Sequence, residues 1–261
     1  MSYETITVEV DGRGVATLTL NLPDKHNALA PRMISDLHEA ALALGADDAV
    51  RVVVLTGAGK SFCAGGDLGW MRTQFAASRE DRISEARKLA NMLGALNELP
   101  RPVIGRINGQ AYGGGMGMIS VCDIAIGAEG AKFGFTEARL GLIPATISPY
   151  VLARMGEGMA RRVFMSARLF GAEEAKSLGL LAKVVSEDEM DAAVEAEIKP
   201  YLGCAPGAVA DSKRLARMLG PRIEPEVIEK TIEALADSWD KSEAHEGVSA
   251  FFDRRKPGWA S

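Results

Sequence analysis

Three consecutive glycines, Gly113, Gly114 and Gly115, stand between a short apolar strand, Pro102 to Ile107, and the apolar run Met116 to Cys122. A chain that turns from strand to helix through positions without Cβ atoms is built for close approach of another backbone or of a ligand. The first amides of a helix lack intrahelical partners and carry the positive end of its dipole, so this turn favours a negative oxygen.

A second loop of the same kind lies upstream. Val50 to Thr56 reads as a strand and leads into GAGKSFCAGGDLGWM, with Asp67 placed to cap a helix beginning at Leu68. Two glycine-lined donors can converge on one oxygen. With a nearby carboxylate they suit chemistry that passes through an enolate or another oxyanion.

The 261 residues are 47% hydrophobic with no break in composition, enough for a full-sized core in one large domain or a domain with a helical appendage. A net charge of −5, from 35 acidic and 30 basic residues well mixed, disfavours a nucleic-acid or membrane-surface binder, which needs a concentrated basic face. Cys63, Cys122 and Cys204 are odd in number and lack metal-ligand spacing, which fits a reducing compartment. The start, MSYETITVEV, has neither the basic and apolar regions of a secretion signal nor the Arg- and Ser-rich character of a transit peptide, and the expected location is cytoplasmic. The most apolar stretch, residues 111 to 128, is interrupted by Asp123 and crowded with glycine, so no membrane span is expected.

Ile6 to Val10 and Val15 to Leu20 alternate apolar and polar residues around DGRG, the pattern of a hairpin with one buried face. A helix over Met33 to Leu44 follows, with Met33, Ile34, Leu37, Ala41 and Leu44 at helical spacing. The order strand, strand, helix, strand recurs around the glycine-rich centre, where Ile124 to Gly127 reads as a further strand, although no sequence repeat is visible. Residues 72 to 99 form a charged and then amphipathic helix whose front, Ser78 to Arg82, is expected to be a mobile flap over the site. Helices are expected over Tyr150 to Met155, through Val163 to Met165 and over Glu173 to Leu178. The stretch Gly179 to Val185 reads as an edge strand. The last third, Glu187 to Phe252, reads as helices broken by Pro200, Pro206, Pro221 and Pro225.

Several features imitate other sites. VLTGAGKS resembles a phosphate loop, but the glycine required five residues before Gly59 is Val54, and neither GAGKSF nor GGGMGM completes the dinucleotide fingerprint. His26, His38 and His245 have no ligand neighbours at useful spacing, so no metal site is expected. Met116 and Met118 read as core packing, Asp253 to Lys256 as a solvated face, and Glu137 on residue type alone as a surface partner of Arg139 or Lys132.

FCAGGDL, INGQAYGGGMGM, CDIAI, FGFTEARLGLIP, SARLFGAEEAKSLGLLAKVV and EGVSAFFDRRKPGW, in that order over essentially the whole chain, resemble the enoyl-CoA hydratase and isomerase superfamily, the crotonases. The resemblance implies an α/β fold, a spiral of β-β-α units over residues 1 to 196, with a helical trimerisation region over 197 to 261. It implies a homotrimer or dimer of trimers, an acyl-CoA thioester as substrate, and no metal or redox cofactor, coenzyme A being part of the substrate. The amides of Gly66 and Gly114 would form an oxyanion hole, and Ala64 would meet the adenine through its backbone. Lys25, Ala28, Asp67 and Leu68 would line the coenzyme A path, and Phe251 and Arg254 would reach it from a neighbouring subunit.

Glu137 matches the second of the two glutamates of ordinary hydratases, whereas the place of the first is Gly117. A single carboxylate is sufficient for a Δ3-Δ2-enoyl-CoA isomerase. LGLIPATISPYV instead resembles bacterial 3-methylglutaconyl-CoA and related glutaconyl-CoA hydratases, in which glycine at the first position is common. The expectation is therefore hydration of such a thioester by Glu137, in a pocket made apolar by Phe133, Phe135, Leu140 and Ile143, with Arg72 or Arg139 meeting the distal carboxylate. The alternatives are the isomerase and a non-catalytic acyl-CoA-binding scaffold. An RNA-binding role, known for one relative in the superfamily, is disfavoured by the net charge of −5.

Overall fold

The computed structural model describes residues 3–260, so Met1 and Ser2 of the N-terminal stretch and Ser261 of the tail lie outside the described residues. The hairpin forms as its alternation predicts: β1 (Ile6–Val10) pairs antiparallel with β2 (Val15–Leu20), Ile6 opposite Leu20. α1 (Pro31–Ala46) opens on a proline, whose missing N–H is harmless at the first helical position, and buries the expected stripe of Met33, Ile34, Leu37, Ala41 and Leu44.

Strand pairs then follow one another. They are β3 (Val52–Gly57) with β4 (Ser61–Cys63), and β5 (Val103–Ile107) with β6 (Gln110–Tyr112), separated by α2 (Leu68–Ala76) and α3 (Arg79–Glu98). After α4 (Gly114–Val121) come β7 (Ile124–Ala128) and β8 (Lys132–Gly134). Next are α5 (Ser148–Met155), α6 (Glu157–Phe164), β9 (Phe170–Gly171), α7 (Ala172–Ser177) and β10 (Lys183–Val185). The first strand of each pair enters a six-stranded sheet, β1-β2-β3-β5-β7-β10, and the second enters a four-stranded sheet, β4-β6-β8-β9. Repetition of that step makes a spiral of β-β-α units, as the resemblance implies. β3 is buried at every residue, as a parallel strand covered on both faces must be. The two sheets and α1, α3 and α4 enclose one core, in which Phe62, Phe133 and Phe135 have no exposed surface.

The tail is α8 (Met190–Leu202), α9 (Pro206–Leu219), α10 (Pro225–Trp239) and α11 (Ser242–Phe252). Residue 196 falls inside α8, whose Met190, Val194 and Ile198 pack on the outer face of the large sheet. Pro206 and Pro225 begin helices, but Pro200 breaks none: it sits in the last turn of α8, two residues before the end. The Ser78 to Arg82 segment also differs from expectation. Ser78 caps α3, Arg79 pairs with Asp237 and Asp240, and Arg82 is nine-tenths buried and bonds to Asp240 and to the Gln74 and Phe75 carbonyls. It is a clamp between α3 and α10 where a flap was expected, because its charges find partners on the tail.

Candidate active site

The first loop is held by a residue that pattern reading missed. Asn27 is fully buried; its amide donates to the carbonyls of Ala58 and Ser61, and its oxygen accepts from the Leu22 amide. A buried amide with three bonds locks the segment after β2. That segment grips the turn after β4: Ala64 N donates to His26 O, Leu29 N to Gly65 O, and Asp67 N to Leu29 O. The peptides on either side of Gly66 are thereby fixed, and the Gly66 amide has no protein acceptor among the described residues. Asp67 caps α2 as expected, accepting from Trp70 N at 2.9 Å. His26, one of the discounted histidines, places Nδ1 2.9 Å from Ser61 Oγ and serves the same loop.

The second loop leaves β6 through Gly113, whose φ of +48° lies where an L side chain is strained. Gly113 N donates to Gly134 O at 3.1 Å, and Gly114 opens α4 with an amide that no group among the described residues accepts from. The two glycine turns touch: a Cβ on Gly113 would lie 3.9 Å from the Gly65 Cα. Two amides without a protein acceptor among the described residues therefore stand in touching turns.

Glu137 begins a 3-10 turn, Glu137–Leu140, after β8. It pairs with neither Arg139 nor Lys132, so the surface-partner reading fails. Its side chain lies against the Gly113 turn, with Oε2 cut off from solvent and without a partner. Removal of water disfavours the charged form, and burial pushes the Glu137 carboxyl up to about 7. The turn is anchored by the tail: Ser238 Oγ donates to Gly141 O, and α11 packs so closely that a Cβ on Gly247 would meet the Leu140 carbonyl carbon at 2.5 Å.

These groups meet in a cavity of about 410 Å³. Ala64, Gly66, Leu68, Gly114, Glu137 and Phe251 line it, whereas Lys25, Ala28, Asp67 and Arg254 do not. Phe251 lines the cavity of its own chain, where a reach into a neighbour's site was expected, because α10 and α11 fold back as a roof that also brings Leu235 and Trp239. Leu140 and Ile143 lie in the wall, but Phe133 and Phe135 are behind it in the core. Arg139 lines the cavity and has no ion pair among the described residues. Arg72 does not, its guanidinium lying 4.5 Å over the Phe252 ring. A larger groove of about 780 Å³ runs under α9; of its cations Lys213 pairs with Asp123 and Arg217 with Glu98, while Arg154 donates to the Asp123 carbonyl.

Position 117 is closed as well as empty of a side chain. A Cβ there would meet Ile147 Cγ2 at 2.6 Å and Ile147 Cβ at 3.1 Å, so isoleucine fills the place of the missing glutamate. No group of three or more His, Cys, Asp or Glu side chains among the described residues is arranged to hold a metal, and no helix among them is long and apolar enough to cross a membrane.

The spiral defines a protein of the crotonase fold, with two glycine turns and the Glu137 carboxyl lining one cavity. The family model described as Enoyl-CoA hydratase/isomerase matches residues 11–261. A crotonyl-CoA hydratase of Syntrophomonas wolfei is 32% identical over 267 residues, covering 100% of each chain. The crystal structure of an enoyl-CoA hydratase from Shewanella pealeana superposes with a TM-score of 0.81 at 36% identity, over 98% of this chain and 96% of that one. An enoyl-CoA hydratase from Mycobacterium avium gives 0.84 at 31% identity, over 98% and 99%. The chain belongs to the enoyl-CoA hydratase/isomerase family and is an enzyme of it.

Proposed function

We propose that the protein adds water across the α,β double bond of an acyl-CoA thioester, with Glu137 as its one titrating group. The amides of Gly66 and Gly114 receive the thioester oxygen. Glu137 takes a proton from water as hydroxyl adds at Cβ, the electrons move into an enolate held by the amides, and the proton returns at Cα. Each donor of this kind is worth a factor of ~10²–10³ in rate. The observation that carries the reading is the carboxyl of Glu137, raised to about 7 by burial and set against the turn that presents the free Gly114 amide. An acid tuned near neutrality can accept and return one proton.

The preferred substrate is of the 3-methylglutaconyl-CoA type, whose distal carboxylate does part of the work of the absent first glutamate. The LGLIPATISPYV motif and the unpaired Arg139 on the wall support this. Coenzyme A enters past Ala64 and Leu68, with the exposed Lys25 and Arg254 outside the cavity for its phosphates. The reading calls for no metal or redox group and no nucleic acid. Assembly as a trimer or dimer of trimers is supported by α9, which buries no residue and exposes Leu215, Met218 and Leu219.

Comparing turnover of crotonyl-CoA with that of 3-methylglutaconyl-CoA tests the substrate. Faster conversion of the second is expected, and equal rates would sink the assignment. The closure of position 117 by Ile147 favours one further reading, a Δ3-Δ2 isomerase needing a single carboxylate. A 3-enoyl-CoA converted without incorporation of water would establish it. A non-catalytic scaffold would show no loss on Glu137→Ala.

A further inference from the structure

The tail meets the turn that carries Glu137 backbone to backbone, at two glycines. In α11, a Cβ on Gly247 would stand 2.5 Å from the Leu140 carbonyl carbon and 2.6 Å from its oxygen. Gly141 ends the turn at φ +69°, and a Cβ there would strike the Glu243 carbonyl of α11. No side chain fits at either place unless one main chain moves. Around this contact Leu142, Trp239, Ala244 and Val248 form a small buried cluster, and Ser238 Oγ donates to Gly141 O at 3.3 Å.

The turn is too short and too bonded to absorb a shift. Gly141 N donates to Ala138 O at 3.2 Å and Leu142 N to Glu137 O at 3.1 Å, so the residues that α11 touches are tied to Glu137 itself. On its opposite side the Glu137 carboxyl lies against the Gly113 turn. The acid is thus gripped between α11 and the turn that presents the Gly114 amide. No charge does this instead. Arg82, Tyr112 and Arg139 share the cavity, Glu243 and His245 of α11 are exposed, Glu246 pairs with Arg255, and Asp237 and Asp240 of α10 pair with Arg79 and Arg82. None of these bonds to Glu137 among the described residues.

We propose that Gly141 and Gly247 are positioning residues, a backbone lock through which α11 holds the Glu137 carboxyl against the Gly113 turn and out of water. The helix that roofs the cavity with Phe251 therefore also aims the acid. The inference rests on Glu137 being the group that moves the proton, but not on hydration.

A ¹³C-NMR titration of the glutamate carboxyls tests the lock without turnover. The wild type should show one glutamate with a midpoint of about 7, absent from Glu137→Gln. In Gly247→Ala that midpoint should fall toward the ordinary 4.5, because a displaced carboxyl regains water. Alanine favours a helix over glycine, so α11 itself is not weakened by this change. Ser238→Ala should give a smaller fall in the same direction. Val194→Ala, on the outer face of the large sheet, should lower the melting temperature and leave the midpoint in place. On an unsaturated acyl-CoA, Gly247→Ala should lower kcat about 10²-fold with a much smaller change in KM. A midpoint unmoved in both Gly247→Ala and Ser238→Ala, an equal fall in Val194→Ala, or a wild-type Glu137 that titrates at the ordinary value would overturn the lock. The expected midpoints in a protein that hydrates nothing would instead overturn the hydratase reading and leave the lock standing.

Discussion

Oε1 of Glu137 lies so close to Gly113 that a methyl group on that glycine would stand 3.2 Å from it. The acid and the glycine turn are one unit, since the next residue, Gly114, carries the free amide. Gly113→Ala should displace the carboxyl and strain a backbone at φ +48°. The expected result is a fall in kcat of about 10²-fold with a much smaller change in KM, because a displacement of the reacting group by about 1 Å costs that much. Steady-state kinetics on an unsaturated acyl-CoA checks it.

The pH dependence of turnover follows from the raised carboxyl. Glu137 must be ionised to take a proton from water, so kcat/KM should rise with pH through about 7 and level off above it. A profile flat between pH 5 and 8 would mean another group titrates, or none.

Stability should move the opposite way. Between the ordinary value of 4.5 and about 7, the folded chain keeps a proton that the unfolded chain has lost. Stability therefore falls as pH rises through that window and stays lower above it, by roughly 3 kcal/mol at ~1.4 kcal/mol per unit. Glu137→Gln removes the penalty, so by denaturant titration it should be more stable than wild type at pH 8 and indistinguishable below about pH 4.5.

Restoring the missing glutamate should fail. In Gly117→Glu the new Cβ would collide with Ile147 Cγ2 at 2.6 Å. Overpacking and burial of a carboxylate together should cost about 3 kcal/mol or more, without a gain in hydration. Adding Ile147→Ala should recover part of the loss, since it removes the colliding atoms. A melting-temperature series on the single and double variants decides this.

Local chemistry wrote much of this fold into the sequence. The alternation of β1 and β2, the stripe of α1, the Asp67 cap and both glycine turns each depend on neighbours within a few residues. The three-residue strands β4, β6 and β8 were not legible, because so short a run has no period of its own and exists only through pairing with distant partners. The same limit hid Asn27, whose three bonds reach Leu22, Ala58 and Ser61. Phe133, in β8, and Phe135, just beyond it, pack against Phe170 and Phe164 in the core and not in the wall beside Glu137, through contacts distant in sequence. The roof of α10 and α11, the clamp at Arg82 and the filling of position 117 by Ile147 are long-range contacts with no local signal.

The central claim is that one carboxyl, at position 137, moves the proton while two main-chain amides hold the oxygen. Turnover of 3-methylglutaconyl-CoA in ¹⁸O-labelled water by the wild type and by Glu137→Gln, read by mass spectrometry of the product, addresses it directly. The account predicts one labelled oxygen at Cβ in the wild-type product and a loss of labelled product of about 10³-fold or more in the variant. Unlabelled wild-type product, or undiminished labelling by Glu137→Gln, would contradict it.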